Sequence, residues 1–282
     1  MHTVHDAPAL REALEGRHAG GQVVLVPTMG ALHAGHLSLI DIARARAGQG
    51  GTVVVSIFVN PIQFDRSDDL EAYPRPLDAD LAACRAAGVD LVFAPDAGAM
   101  YAPDRSVTVT ESALSKHLCG AARPGHFDGV CTVCLKLFLL TGCDAAVFGE
   151  KDFQQLAIIR RMVRDLDVPV SIIAGPTLRE PDGLAMSSRN ARLTPAHRAD
   201  ASRIHRALCD AILLENPAEI LAHARREIEA SPHARIDYLE LVDANTLEPA
   251  GDSEPGGATI LATAVFYGDV RLIDHVDFAA RG

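Results

Sequence analysis

The chain has 282 residues, 48% apolar and 22% charged. These are ordinary values for a folded protein and exclude disorder, collagen-like order and simple repeats. Its 26 Lys and Arg against 37 Asp and Glu leave a formal net charge of −11, which argues against a broad nucleic-acid or anionic-membrane surface but not against a local basic cluster on a small anion. At about 150 residues per domain, the length fits two domains or one large α/β domain.

In chain order, Met1–Leu14 carries His2, His5, Asp6, Arg11 and Glu12 without an apolar core, so it does not read as a signal peptide. Gln22–Val26 is a short apolar run ending at Pro27. Ala34–Ala47 follows helical spacing, with Leu37, Ile40, Ala43 and Ala47 on one face. Thr52–Val59 is β-branched and apolar on both faces, as a central parallel strand should be. Asp78–Ala87 predicts a helix with Asp78 as N-cap. Val89–Phe93 predicts a strand, Asp128–Leu140 an apolar helix, Ala145–Phe148 a strand, Asp152–Asp165 a helix and Val168–Ile173 a strand. This alternation predicts an α/β fold, a Rossmann-like parallel sheet with helices on both faces. Such sheets bind ligands beyond the carboxyl ends of their strands.

After about Leu178 the texture changes. Pro181-Asp182-Gly183 marks a turn. Helical segments follow at Pro195–Leu214 and Pro217–Glu229, then strands near Ile236–Val242, Ala258–Phe266 and Val270–Ile273, with Gly251–Gly257 a loop. The expected division is a Rossmann-like domain at 1–178 and a smaller α+β domain at 179–282, the latter a movable cover over the site. No window reaches the roughly 20 apolar residues of a membrane helix; the richest, Val130–Leu140, carries Lys136.

Four segments carry chemistry. Pro27-Thr28-Met29-Gly30-Ala31-Leu32-His33-Ala34-Gly35-His36 joins the first core strand to a helix. Gly30 permits a tight turn, and Gly35 lets a ligand approach the backbone. The helix N-terminus offers N–H groups and positive potential suited to phosphate. His33 and His36, three apart, share one face and can donate to charge developing on a phosphate. In Met186-Ser187-Ser188-Arg189-Asn190 two hydroxyls and a guanidinium can grip phosphate oxygens, although the same residues suit an N-capping turn. Gly149-Glu150-Lys151-Asp152-Phe153-Gln154-Gln155 follows a strand. There Lys151 is placed to meet phosphate, and Asp152 either caps the next helix or accepts from a ribose hydroxyl. Gln63, in Phe58–Phe64 at another strand end, is an uncharged polar group suited to hydroxyl or carboxyl recognition.

Cys131-Thr132-Val133-Cys134 lies inside a predicted helix, with no second pair at zinc spacing, and reads as buried structural thiols. Six cysteines in apolar or helical surroundings point to a reducing cytosol. Asp68, Asp69, Asp78 and Asp80 read as solvated charges and caps, although Asp80 could touch a nucleotide-bound Mg²⁺.

These segments closely resemble the pantoate–β-alanine ligase (pantothenate synthetase) family. PTMGALHAGH (27–36), SIFVNPIQF (56–64), AYPR (72–75), ARPGHFDGV (122–130), FGEKDFQQL (148–156) and GLAMSSRN (183–190) occur in the family's order along nearly the whole chain. H-x-G-H alone marks a much broader superfamily of nucleotidyltransferases. The resemblance implies an ATP-dependent ligase that activates pantoate as pantoyl adenylate with release of pyrophosphate. β-Alanine then displaces AMP to give pantothenate. It implies ATP contacts from Met29, Gly30, Ala31, Leu32, His33, Ala34, Gly35 and His36. Gly149, Glu150, Lys151, Asp152, Leu178, Met186, Ser187, Ser188 and Arg189 are implied as further ATP contacts. His36 is the implied proton donor, His33 its partner on the transferring phosphate and Lys151 a phosphate ligand. Gln63 and Gln155 are the implied pantoate ligands, with Gln63 also near β-alanine. Mg²⁺ is expected with ATP. No protein metal ligand is assigned, because Ala79 and Ala83 stand where some relatives carry acidic or amide residues. A cytoplasmic homodimer without nucleic-acid or membrane partners is expected.

Overall fold

The computed structural model describes residues 1–17, 20–251 and 258–281. It contains two compact units. The first comprises Met1–Glu111, Pro124–Glu150 and Ile158–Pro176, and the second Ser112–Arg123, Lys151–Ala157 and Thr177–Gly282.

The first unit is built on six parallel strands: β1 (His2–Val4), β2 (Val23–Thr28), β3 (Thr52–Ile57), β4 (Leu91–Phe93), β5 (Ala145–Gly149) and β6 (Ser171–Gly175), in spatial order β1-β4-β3-β2-β5-β6. Helices α1 (Ala7–Leu14), α2 (Ala34–Ala47), α3 (Ser67–Ala72), α4 (Leu77–Ala86), α5 (Ala97–Met100), α7 (His126–Thr141) and the part of α8 (Phe153–Asp165) from Ile158 onward belong to this unit, whereas α6 (Leu118–Ala122) and the start of α8 belong to the second. Alternating residues of the strands face opposite layers. Val24, Val26, Val53, Val55 and Val147 pack with Leu39, Ile40 and Ala43 of α2 and Cys84 of α4. On the other face Phe148 meets Phe138 of α7. Helices thus cover both faces, as the unbroken apolar strands demand.

The order places a topological switch between β2 and β5. From β2 the chain winds outward through β3 and β4, whereas β5 leads to β6 on the other side. Ligand crevices form beyond the carboxyl ends of strands that diverge in this way. Met29–His36 follows β2, and Glu150 follows β5.

Most element boundaries agree with the sequence reading to within a few residues. β2 continues through Pro27. The β5 pairing covers Val24 and Leu25, so beyond it β2 is bonded on one side only, which tolerates a residue lacking an N–H. The stripe of α2 facing the sheet adds buried Leu39 to Ile40, Ala43 and Ala47, with Leu37 partly buried against the same core. Asp78 is not the N-cap of α4. Pro76 takes that position without a side-chain bond, and Asp78 falls in the first turn. The strand β1 has no apolar run to announce it and forms by pairing with β4.

The second unit carries an antiparallel sheet of β7 (Ala234–Asp243), β8 (Thr259–Tyr267) and β9 (Val270–Asp277). Helices α9 (Pro195–Ala201), α10 (Arg203–Ala211) and α11 (Pro217–Glu229) complete it. Ile204, Leu208, Ile220 and Ile228 share a core with Leu239, Leu261, Val265 and Leu272. The helix expected at Pro195–Leu214 is broken at Ser202 into α9 and α10. Residues 252–257, most of the loop read from the sequence, lie outside the described residues.

Candidate active site

The turn after β2 is tied up by its own hydrogen bonds. Gly30 has φ +79° and Ala31 φ +50°, so a glycine at 30 meets a real conformational demand. Thr28 Oγ1 accepts the Gly30 N–H at 3.1 Å and donates to the Ser56 carbonyl at 2.7 Å. Ala31 and Leu32 donate their N–H groups to Asp80 at 2.8 and 2.7 Å. His33 is the N-cap of α2 in an extended conformation, and His36 is its third residue. The Gly35 N–H donates to His33 Nδ1 at 3.1 Å, and the His33 N–H to His36 Nδ1 at 3.3 Å. A reciprocal capping box therefore brings the rings together, with centroids 4.1 Å apart.

That arrangement fixes the chemistry of both imidazoles. A ring nitrogen that accepts a hydrogen bond carries no proton. With both Nδ1 atoms accepting, each neutral ring carries its proton on Nε2, a tautomer inferred from the bonding pattern. The pair offers two N–H donors of the kind that stabilises charge growing on a transferring phosphate. The N–H groups of residues 30–33, 35 and 36 have partners within the protein, leaving only that of Ala34 in this stretch without one among the described residues. The helix N-terminus is thus less open to an anion than its sequence suggests.

Gln63 sits in a short 3-10 turn, Pro61–Gln63, and is 7% exposed. Its Oε1 accepts from Asn60 Nδ2 at 2.8 Å, and its Nε2 lies 3.2 Å from Met29 Sδ. Asn60 is itself held by the Gly129 carbonyl at 3.1 Å and by the Tyr101 hydroxyl, which donates to Asn60 Oδ1 at 2.9 Å. His126 Nδ1 lies 2.7 Å from the Gln63 carbonyl. Gly129 lets α7 come close, for a Cβ there would stand 2.5 Å from the Ile62 carbonyl oxygen. The amide orientation of Gln63 is therefore set, with its NH₂ end directed toward the Met29 side.

Gly149 and Glu150 end a segment of the first unit, and the second unit holds the expected site residues from Lys151 onward. Lys151 lies in the 3-10 turn Glu150–Asp152, its ammonium 3.9 Å from Asp152. Asp152 ends that turn immediately before α8. One turn along, Gln155 is half-buried and its amide has no protein partner among the described residues. Leu178 opens a hairpin in which its carbonyl accepts the Met186 N–H at 3.0 Å. Arg179 anchors this hairpin. It donates to both oxygens of buried Asp274 on β9 at 2.7 and 2.9 Å and to the Gly183 carbonyl at 3.1 Å. His205 lies 3.8 Å from the same carboxylate; burial, then the Arg179 charge, holds its pKa below the usual imidazole range. Ser187 caps the 3-10 turn Ser188–Arg192 by accepting the Arg189 N–H at 3.3 Å, so the N-capping reading of this loop describes its local structure.

Several residues escape a reading of the sequence. Asp80 is not a solvated charge: it is 2% exposed and serves the Ala31 and Leu32 amides. Asn60, Tyr101, His126, Arg179 and Asp274 act through long-range contacts. The GHFDG and NPIQ stretches flagged His126 and Asn60 only as parts of motifs. Cys131 and Cys134 are buried free thiols on α7, and burial pushes Cys131 up to about 12 and Cys134 higher still. Neither has thiolate character.

The sequence and fold of this chain are similar to those of known ligases. The family model described as pantoate-beta-alanine ligase matches residues 2–277. A pantothenate synthetase from Akkermansia muciniphila is 52% identical over 282 residues, covering 98% of this chain and all of the relative. One from Trichlorobacter lovleyi is 48% identical with 98% of each chain covered. Pantothenate synthetase from Thermus thermophilus superposes with a TM-score of 0.92 at 43% identity over 99% of both chains. A pantoate-beta-alanine ligase from Francisella tularensis, described as complexed with beta-gamma ATP and beta-alanine, gives a TM-score of 0.84 at 31% identity, covering 99% of this chain and 98% of that one. Matched over almost its whole length, with the paired imidazoles standing at the β2 strand end, the chain belongs to the pantoate–β-alanine ligase family and is an ATP-dependent ligase joining pantoate to β-alanine.

Proposed function

We propose that the residues described above carry the two half-reactions as follows. A carboxylate oxygen of pantoate attacks the α-phosphorus of ATP, and the bond to the bridging oxygen of pyrophosphate breaks. His33 and His36 donate their Nε2–H groups to charge growing on the α-phosphate. Lys151, Ser187, Ser188 and Arg189 hold the departing pyrophosphate oxygens, and Mg²⁺ arrives as part of the nucleotide substrate. The amine of β-alanine then attacks the mixed anhydride, loses a proton and expels AMP. Gln63 and Gln155 bind pantoate, with Gln63 near β-alanine. Met29–His36 and Gly149–Asp152 line the nucleotide. The Leu178 backbone meets adenine.

The observation that supports this reading most is the backbone-locked imidazole pair at the β2 strand end. Carboxylate and triphosphate repel, so the enzyme must supply oriented donors that cost no reorganisation during reaction. Alignment of the reactants contributes further, on the order of 7–11 kcal/mol at best. The adenylate must also be kept from water.

For the whole protein we infer a homodimer in the cytoplasm, divided functionally near residue 178. Six free cysteines fit a reducing compartment. The deciding experiment is isotope exchange of pyrophosphate into ATP with and without pantoate, followed by AMP release on adding β-alanine. Pantoate-dependent exchange is expected; exchange without pantoate would overturn the sequence of steps. Lys151→Ala should weaken nucleotide binding, and unchanged ATP kinetics would remove Lys151 from the site.

A further inference from the structure

We infer that Asp80 is a positioning residue for adenylate formation: its buried carboxylate fixes the 30–33 backbone so that the two imidazoles meet the reacting phosphate, without touching substrate itself. The inference rests on the reading that His33 and His36 act on the α-phosphate.

A carboxylate accepts and cannot donate, and this one is used in full register. Oδ2 takes the Ala31 N–H at 2.8 Å and Oδ1 the Leu32 N–H at 2.7 Å, with the side chain 2% exposed. Among the described residues no Lys, Arg or His forms an ion pair with Asp80, so its role differs from that of a structural salt bridge. The turn it holds is one the chain resists. Ala31, a residue with a Cβ, has φ +50° directly after Gly30 at φ +79°. Such a backbone persists only where its surroundings over-determine it. The fit is close, for a Cβ on Gly30 would stand 2.8 Å from Asp80 Oδ2. The next amide after the anchored pair is that of His33, whose N–H bonds His36 Nδ1. Asp80 therefore sets the point from which the capping box, and with it the direction of both Nε2–H groups, is built.

Asparagine is nearly isosteric but presents one oxygen and one NH₂, so a donor would face a backbone N–H. In D80N, kcat for pantoate-dependent pyrophosphate exchange should fall on the order of 10²-fold, the cost of misplacing a reacting group by about an ångström. KM for ATP should move by less than about threefold, and the Mg²⁺ dependence should stay as in the wild type. The long-range ¹H–¹⁵N histidine spectrum should show loss of the Nε2–H tautomer at His36, whose Nδ1 accepts the His33 N–H, a change that general destabilisation of a still-folded protein would not produce. Wild-type kcat in D80N, or activity restored by saturating Mg²⁺, would overturn the inference; the latter would make Asp80 a metal ligand. His36→Ala run in parallel separates the two claims. If it leaves exchange intact, the reading of the histidines fails; if it abolishes exchange while D80N retains it, only the role of Asp80 fails. Should D80N not fold, hydrogen exchange on the wild-type enzyme decides. The Ala31 and Leu32 amides are expected to be protected, and exchange at the rate of exposed loop amides would refute the anchor.

Discussion

The turn after β2 and the hairpin that leads into Ser187 both serve phosphate in the proposed reaction, yet they are stabilised by opposite means. Met29–His36 contains no lysine or arginine. It is ordered by a hydroxyl, a carboxylate and two ring nitrogens, each accepting a backbone N–H. The hairpin is pinned by a bidentate ion pair, Arg179 to Asp274, and delivers a guanidinium at Arg189. In the proposed reaction the difference separates two tasks. Charge that exists before reaction, on a triphosphate, is met by cations. Charge that develops during reaction is met by neutral donors whose direction is set in advance, since freely rotating groups would have to be oriented at the moment of transfer.

The comparison can be broken at the first turn. His36→Ala removes a donor and half of the capping box. It should lower kcat for adenylate formation on the order of 10²–10³-fold while leaving ATP affinity nearly unchanged; equilibrium ATP binding alongside pyrophosphate exchange checks both. A loss confined to ATP affinity would show that the ring holds ground-state charge, and the contrast with the hairpin would collapse.

At the hairpin, Arg179→Ala leaves Asp274 buried without its partner. Removing one member of a buried pair costs about 3 kcal/mol or more, to be seen as a lower urea midpoint. The accompanying kinetic change should lie in KM for ATP. An equal fall in kcat with KM unchanged would place the hairpin in the same class as the turn.

A smaller effect tests the organic acid. Gln155→Ala should raise KM for pantoate about tenfold, the magnitude of one good hydrogen bond to a charged group. Initial rates at varied pantoate and at varied ATP distinguish this from a nucleotide contact.

The smallest effect lies away from both segments. Burial holds the thiols of Cys84, Cys131 and Cys143 protonated, up to about 11, 12 and 11. In the unfolded chain they ionise near about pH 8.5, so their contribution to stability is complete below that pH and is lost as pH rises through about 11 to 12. Denaturation midpoints measured from about pH 8 to about pH 10.5 should therefore decline. Cys131→Ala should flatten that decline slightly without altering either phosphate segment; an unchanged slope would deny its thiol a part in it.

Local physics made much of this legible. The apolar runs at Gln22–Val26 and Thr52–Val59 read as core strands, and H-x-G-H after the first of them marked a strand-end site. Asp80 was illegible for a plain reason. An aspartate near the start of a helix is normally a solvated charge complementing the dipole, and the amides it serves lie 48 and 49 positions away. Arg179 and Asp274, 95 positions apart, were silent for the same reason. The spacing of His33 and His36 foretold their proximity, but through a helical turn; the actual device is an extended N-cap with reciprocal ring–backbone bonds.

The amino-acid order by itself determined the alternation of strands and helices, the placing of histidines and glycine at the first strand end, and membership of the family. These depend on residues close in the chain, where periodicity and φ preferences act directly. Tertiary structure alone decided how Asn60 is fastened to α7, why an alanine holds a left-handed conformation and which carboxylate anchors Arg179. Each of those is settled by a hydrogen-bonding partner, and a partner brought from another element exists only once the sheet has assembled.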